Sequence, residues 1–132
     1  MYKLIFLMLI LISCNGIKTD KVNVVNKVQN IDSYVFIEKY DNGKIKIKGS
    51  LVKEIRQGKW ESFYENGVKW SELNYLNGKQ NGISKSFYNN SNLRFYGSYR
   101  DGIKVGVWFF YLENGKFEKE IDFDLINSKN GK

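Results

Sequence analysis

The sequence predicts an all-β fold: an elongated antiparallel meander of β-hairpins, one hairpin per 24-residue repeat. Three observations predict it. The phrase GKWESFYENG at 58–67 returns as GISKSFYNNS at 82–91 and as GVWFFYLENG at 106–115, and a fixed period of roughly 20–50 residues marks a repeat architecture. Each copy carries turn signals built on Asn-Gly or Asp-Gly, pairs that tolerate the positive φ of tight hairpins. Between the turns, segments of about seven to nine residues alternate apolar and polar side chains, the period-two pattern of a strand. The chain has no proline to interrupt pairing.

The elements follow in order. Residues 1–13 join one basic residue, Lys3, to an apolar run from Leu4 to Ile12, the layout of a secretory signal peptide. That run is about half of the ~20 residues that span a bilayer, so cleavage is expected rather than a membrane span. Leu11-Ile12-Ser13-Cys14 resembles the lipobox of bacterial lipoproteins, and the resemblance implies cleavage before Cys14 and a diacylglycerol on its thiol. Cys14 is the only cysteine, so a lipidated chain keeps no thiol for a disulfide, a metal or a nucleophile and must hold together by packing. Residues 14–33 are polar and lack aromatics. They read as a tether, with a short strand around Val22–Val28 as the competing reading.

The repeat domain is expected over 34–123, in copies at 34–57, 58–81, 82–105 and 106–123. Asn42, Asn66, Asn90 and Asn114 fall in one column, and Gly43, Gly67, Ser91 and Gly115 in the next. Tyr40, Tyr64, Tyr88 and Leu112 stand two places before the asparagines, and Gly58, Gly82 and Gly106 open the last three copies. A first turn is expected at each Asn-Gly, degraded to Asn90-Ser91 in the third copy, and a second at Asn77-Gly78 and Asp101-Gly102. The first copy lacks the second glycine-rich loop and has Phe36 where Trp60 and Trp108 stand, so it reads as a capping repeat. The third copy has Ser84 in that column. Strand alternation places Leu93, Phe95 and Tyr99 on one face, and likewise Phe117, Ile121 and Phe123. Residues 124–132 read as a frayed tail.

The pattern G-x-W-x-x-[FY]-[YF]-x-N-G, followed after seven residues by Y-x-[ND]-G-K-x-x-G, resembles the MORN-repeat variant family, whose bacterial members include antitoxin-type proteins. GKWESFYENGVKWSELNYLNGKQNG at 58–82 carries the resemblance best, and it extends over roughly 34–123. It implies a hairpin-repeat fold and is weak on function, because such repeats serve many partners.

Chemistry is bounded by what the chain lacks. It has no histidine, which removes Ser–His–Asp and Cys–His catalysis and the common zinc sites. Glu118, Glu120 and Asp122 alternate on one strand face and read as a solvated surface. Gly78 and Gly82 lack the strand–loop–helix context of a phosphate-binding loop. No catalytic residue, cofactor or metal is expected, and the chain does not read as an enzyme.

The aromatics are more informative. Neighbours in a strand point to opposite faces, so Phe63-Tyr64, Phe87-Tyr88 and Phe110-Tyr111 put rings on both. Trp60, Tyr64, Tyr88, Trp108 and Phe110 are expected on one side, and Phe63, Phe87, Phe109 and Tyr111 on the other. Cross-strand ring pairs can serve stability alone. Read functionally, the first group is the candidate contact surface, because Tyr and Trp anchor interfaces. The net charge of +7 is spread without a like-charge block and reads as a solubilising surface, or as attraction to anionic headgroups. The expected function is a non-catalytic, membrane-anchored module that binds another protein. The alternatives are a toxin-neutralising antitoxin or immunity protein, and a glycan- or lipid-headgroup-binding module. The expected location is the bacterial cell envelope, at the outer membrane in a diderm, where nucleic acid is not a partner.

Overall fold

A computed structural model describes residues 32–130. The leader, Cys14 and nearly all of the tether lie outside the described residues. One antiparallel sheet contains every described strand. β1 (Ser33–Lys39) and β2 (Ile45–Val52) form the first hairpin, and β3 (Ile55–Phe63) and β4 (Lys69–Leu76) the second. The third begins with a short β5 (Lys79–Gln80), continues as β6 (Gly82–Phe87) and returns as β7 (Leu93–Arg100). β8 (Ile103–Tyr111) and β9 (Phe117–Asp122) form the fourth. The order across the sheet is β1-β2-β3-β4-β6-β7-β8-β9, with β5 paired to β4. β5 and β6 are two halves of one strand position, equivalent to β3 and β8. The all-β meander of hairpins read from the period is therefore the fold, and the first copy forms a complete hairpin.

The two turns of each repeat are built differently. At the first, Tyr40 N–H donates to the Lys44 carbonyl at 2.8 Å and Gly43 N–H to the Tyr40 carbonyl at 2.9 Å, enclosing three residues. Only the last of these takes positive φ: Gly43 at 81°, Gly67 at 92°, Ser91 at 69° and Gly115 at 82°. At the second turn both central residues do: Asn77 at 50° with Gly78 at 80°, and Asp101 at 52° with Gly102 at 84°. That is the two-residue turn whose twist matches the flanking strands. The first copy, read as lacking this loop, builds the same turn from Lys53 at 50° and Glu54 at 63°.

Two irregularities recur with the repeat and correct the expectation of unbroken alternation. On the strand leaving each first turn, one residue is skipped by the pairing. Ser62 pairs with Ser71 and Phe63 with Lys69, so Trp70 has no opposite number, and Lys46, Arg94 and Glu118 are skipped in the same way. Such a bulge shifts the facing of the residues before it. Leu93 thus parts from Phe95 and Tyr99, whose rings lie 5.6 and 5.0 Å from Trp108. Leu93 instead joins Lys85, Phe87 and Tyr96 on the opposite face. Phe117 likewise turns to Tyr111, at 6.0 Å, while Phe123 packs on Trp108. The second irregularity is centred on Gly58 and Gly106. Between the pairs Lys48–Glu61 and Ser50–Gln57, Gly49 alone faces residues 58–60, and Gly97 faces 106–108 in the same way.

The C-terminal segment is not a frayed tail through residue 130. It forms helix α1 (Phe123–Asn130), started by Asp122, whose carboxylate accepts the Asp124 and Leu125 N–H groups at 2.9 and 3.3 Å. α1 ends the repeat. In the inner repeats the carbonyls of Arg56 and Gln80 accept the N–H of Gly78 and Gly102, one turn further on. In the last repeat the equivalent Lys104 carbonyl accepts the Asn127 side-chain amide at 2.9 Å, and Gly106 N–H donates to Asp124 at 3.0 Å. The helix stands where a fourth turn of the second kind would fall.

Ser91 holds a left-handed conformation that its three column-mates assign to glycine. Ser91→Gly should raise the free energy of unfolding by about 0.5–1 kcal/mol in urea titrations.

Candidate binding surface

The described residues form a single sheet with no second sheet against it, so its large side chains must be buried mainly by the sheet itself. Trp60 lies flat on Gly49 of the neighbouring strand, where an added Cβ would come within 2.2 Å of the indole. Trp108 lies on Gly97 with the same clearance. Each indole N–H donates to the carbonyl one residue beyond its glycine, Ser50 or Ser98, at 3.2 Å. Rings close the sides: Phe36 and Tyr75 around Trp60, and Phe95, Tyr99 and Phe123 around Trp108. A cation sits over each indole, the Arg56 guanidinium at 4.3 Å and the Lys104 ammonium at 4.5 Å. The tryptophans are 3% and 0% exposed. The copy between them has Ser84, buried and paired with Gly97, and the bulk in that row comes from Leu73, paired with Trp60.

The conserved-looking turn columns tie each repeat to the next. Tyr40, Tyr64 and Tyr88 donate their hydroxyls to the carbonyls of Phe63, Phe87 and Tyr111 at 2.8–2.9 Å. The series ends at Leu112, which has no hydroxyl. The asparagines do two jobs. The Oδ1 atoms of Asn42, Asn66, Asn90 and Asn114 each accept the N–H two residues on at 3.0 Å. The Nδ2 groups of Asn42, Asn66 and Asn90 donate to Glu65, Asn89 and Glu113 of the following copy.

These positions bear directly on the five residues expected to form a contact ladder. Trp60 and Trp108 are buried against backbone and cannot present their faces to a partner. Tyr64 and Tyr88 stand at strand ends with their hydroxyls engaged inside the sheet. Phe110 lies beside Phe95 at 6.1 Å on the tryptophan face. The five do not form one open ladder.

The opposite face is divided. Over the second copy it carries a lattice of ion pairs: Glu61 with Lys69 and Lys48, and Glu72 with Lys59 at 2.9 Å and Lys69 at 3.1 Å. The Lys69 ammonium, then that of Lys48, pulls the half-buried Glu61 carboxyl down to about 2 against partial desolvation. Lys59, then Lys69, lowers Glu72 as well. Over the third and fourth copies the same face is largely apolar, broken by Lys85 and Glu120. Tyr96 and Phe109 stack at 4.9 Å and 15° between planes, Ile83 is 55% exposed and Phe117 is 56% exposed. Sequence reasoning placed Phe63, Phe87 and Phe109 on this side correctly but missed Ile83, Leu93, Tyr96 and Phe117 as its surface. The shift in facing at each bulge hides two of them from simple alternation.

Fold and packing define a class: an open-sheet, hairpin-repeat protein whose copies are joined by Tyr and Asn ladders. The family model described as MORN repeat variant matches residues 56–77, 80–101 and 104–124. The chain belongs to the MORN-repeat variant family, and its hairpin at Ser33–Val52 repeats the same structure ahead of the matched segments. No curated protein and no solved structure matches the chain.

Two outcomes follow. Tyr64→Phe removes one repeat-to-repeat hydrogen bond and should cost about 1 kcal/mol in denaturant unfolding, whereas Leu112→Tyr, with no acceptor beyond it, should gain nothing. Glu61 is depressed in the folded state, so its contribution is full above its ordinary value of 4.5 and lost as pH falls toward about 2. Glu61→Gln should therefore lower stability at neutral pH by roughly 1–3 kcal/mol and flatten the acid limb of the stability–pH curve between those values.

Proposed function

We propose that the chain is a non-catalytic binding module, exported and held at the bacterial cell envelope by a lipid on Cys14, which takes a protein partner on the face opposite the tryptophans. The observation that carries this is the apolar half of that face. Ile83, Tyr96, Phe109 and Phe117 stand on the sheet with no element over them among the described residues, while Trp60 and Trp108 on the other face are buried. Exposed apolar groups gathered on one part of a folded surface mark interaction sites. The family's repeats suit this role, because each copy adds one register of the same sheet and so extends a surface without changing its backbone. The apolar run from Leu4 to Ile12 after Lys3, and Ser13 before Cys14, support the anchoring.

The experiment has two arms. A photo-crosslinking residue at position 83 should capture a discrete partner in intact cells, and the same residue at position 53, in a remote turn, should not. Capture at both positions or at neither would contradict the assignment of the face. Cys14→Ser should move the protein from the membrane to the soluble fraction, and unchanged membrane association would contradict the anchor.

A further inference from the structure

Of five columns of the repeat that meet on this face, three change character between the second and third copies. In the second they hold Glu61, Phe63, Gly67, Lys69 and Glu72, and the charges close on one another. In the third they hold Lys85, Phe87, Ser91, Leu93 and Tyr96, which line an open groove of about 440 Å³. Position 85 has changed sign relative to Glu61. Leu93 replaces the lysine of the second copy and Tyr96 replaces its second carboxylate. No carboxylate remains in the groove. Among the described residues the Lys85 ammonium has no ion pair and no hydrogen bond. Its cross-strand neighbour Glu72 is already held by Lys59 and Lys69. Tyr96 is fixed by its stack on Phe109, so one wall is a rigid double ring.

An unpaired ammonium beside an apolar wall is complementary to a carboxylate next to an apolar side chain. We propose that this groove receives an acidic–aromatic peptide segment of the partner: a Glu or Asp carboxylate on Lys85, with the adjoining aromatic or leucine side chain packed between Phe87, Leu93 and Tyr96. The inference rests on the binding-module reading and names the chemistry of its site. The volume suits one or two side chains. An anionic lipid surface is disfavoured, because it is read by several outward ammoniums together. On the same face, Lys48, Lys59 and Lys69 are tied to Glu61 and Glu72.

The test uses the full chain and two fluorescein-labelled peptides, acetyl-Gly-Phe-Glu-Leu-Gly amide and its Gln counterpart, read by anisotropy. The Glu peptide should bind about tenfold tighter at low salt, and the gap should narrow as salt rises. Lys85→Gln should erase the difference and Lys85→Arg should keep it. Leu93→Ser should weaken both peptides, and Lys79→Gln, outside the groove, should change neither. Unchanged near-ultraviolet circular dichroism establishes that each variant is folded. Equal binding of the two peptides, or a difference that survives Lys85→Gln, overturns the groove. So does binding to vesicles containing phosphatidylglycerol that depends on Lys85 when neither peptide binds. None of these results touches the cross-link at position 83, so the groove can fail while the binding-module reading stands. Loss of that cross-link's specificity would remove the wider reading instead.

Discussion

A sheet with no second sheet over it among the described residues must bury most of its large side chains itself, and here that is done by laying indole on glycine. Trp60 on Gly49 and Trp108 on Gly97 leave no room for a Cβ. The geometry needs a matching irregularity in the tryptophan's own strand, where Gly58 and Gly106 take positive φ and insert the extra residues that let the ring lean across. Glycine is thus required twice per tryptophan, once for conformation and once for space. The surrounding rings and the overlying cation then complete a core one side chain deep.

The hydrogen-bond ladders explain why the unit is a repeat. The hydroxyls of Tyr40, Tyr64 and Tyr88 and the amides of Asn42, Asn66 and Asn90 satisfy groups of the next copy, not their own, so one hairpin alone would leave them unmatched. Isolated hairpins are marginal, and stability of this kind is a sum over neighbouring interfaces. The ladder stops where the sequence stops supplying it, at Leu112, and α1 takes over the remaining backbone groups through Asn127 and Asp124.

Much of this was legible in the chain. The 24-residue period, the Asn-Gly columns and the absence of proline specify a meander of hairpins, because turn chemistry is local and each signal is written several times. What the period could not convey was which residues the pairing skips. Alternation assigns Leu93 and Phe117 to the tryptophan face, and one skipped residue per copy, Arg94 or Glu118, moves them to the other. Lys53-Glu54 was invisible as a turn because neither side chain favours positive φ; the register of the flanking strands imposes it. The helix was missed because much of its justification is tertiary: Asp124 and Asn127 carry meaning only beside Gly106 and Lys104 of β8. The tryptophans could be weighed only as core or contact. Their partner glycines, Gly49 and Gly97, each lie eleven residues away in sequence and become partners through the bulge.

The proposed binding surface follows from the same economy of one layer. With one face used to bury indoles on glycine, the other is free to vary from copy to copy, charged and closed over the second, largely apolar and open over the third and fourth. The claim beneath all of this is that indole and glycine are a coupled pair, and a double-mutant cycle measures it most directly. Gly49→Ala, Trp60→Leu and the double variant would be compared by denaturant unfolding. The account predicts that Gly49→Ala costs about 2–3 kcal/mol beside tryptophan and far less beside leucine, a coupling well above 1 kcal/mol. Costs that simply add, to within about 0.5 kcal/mol, would contradict it.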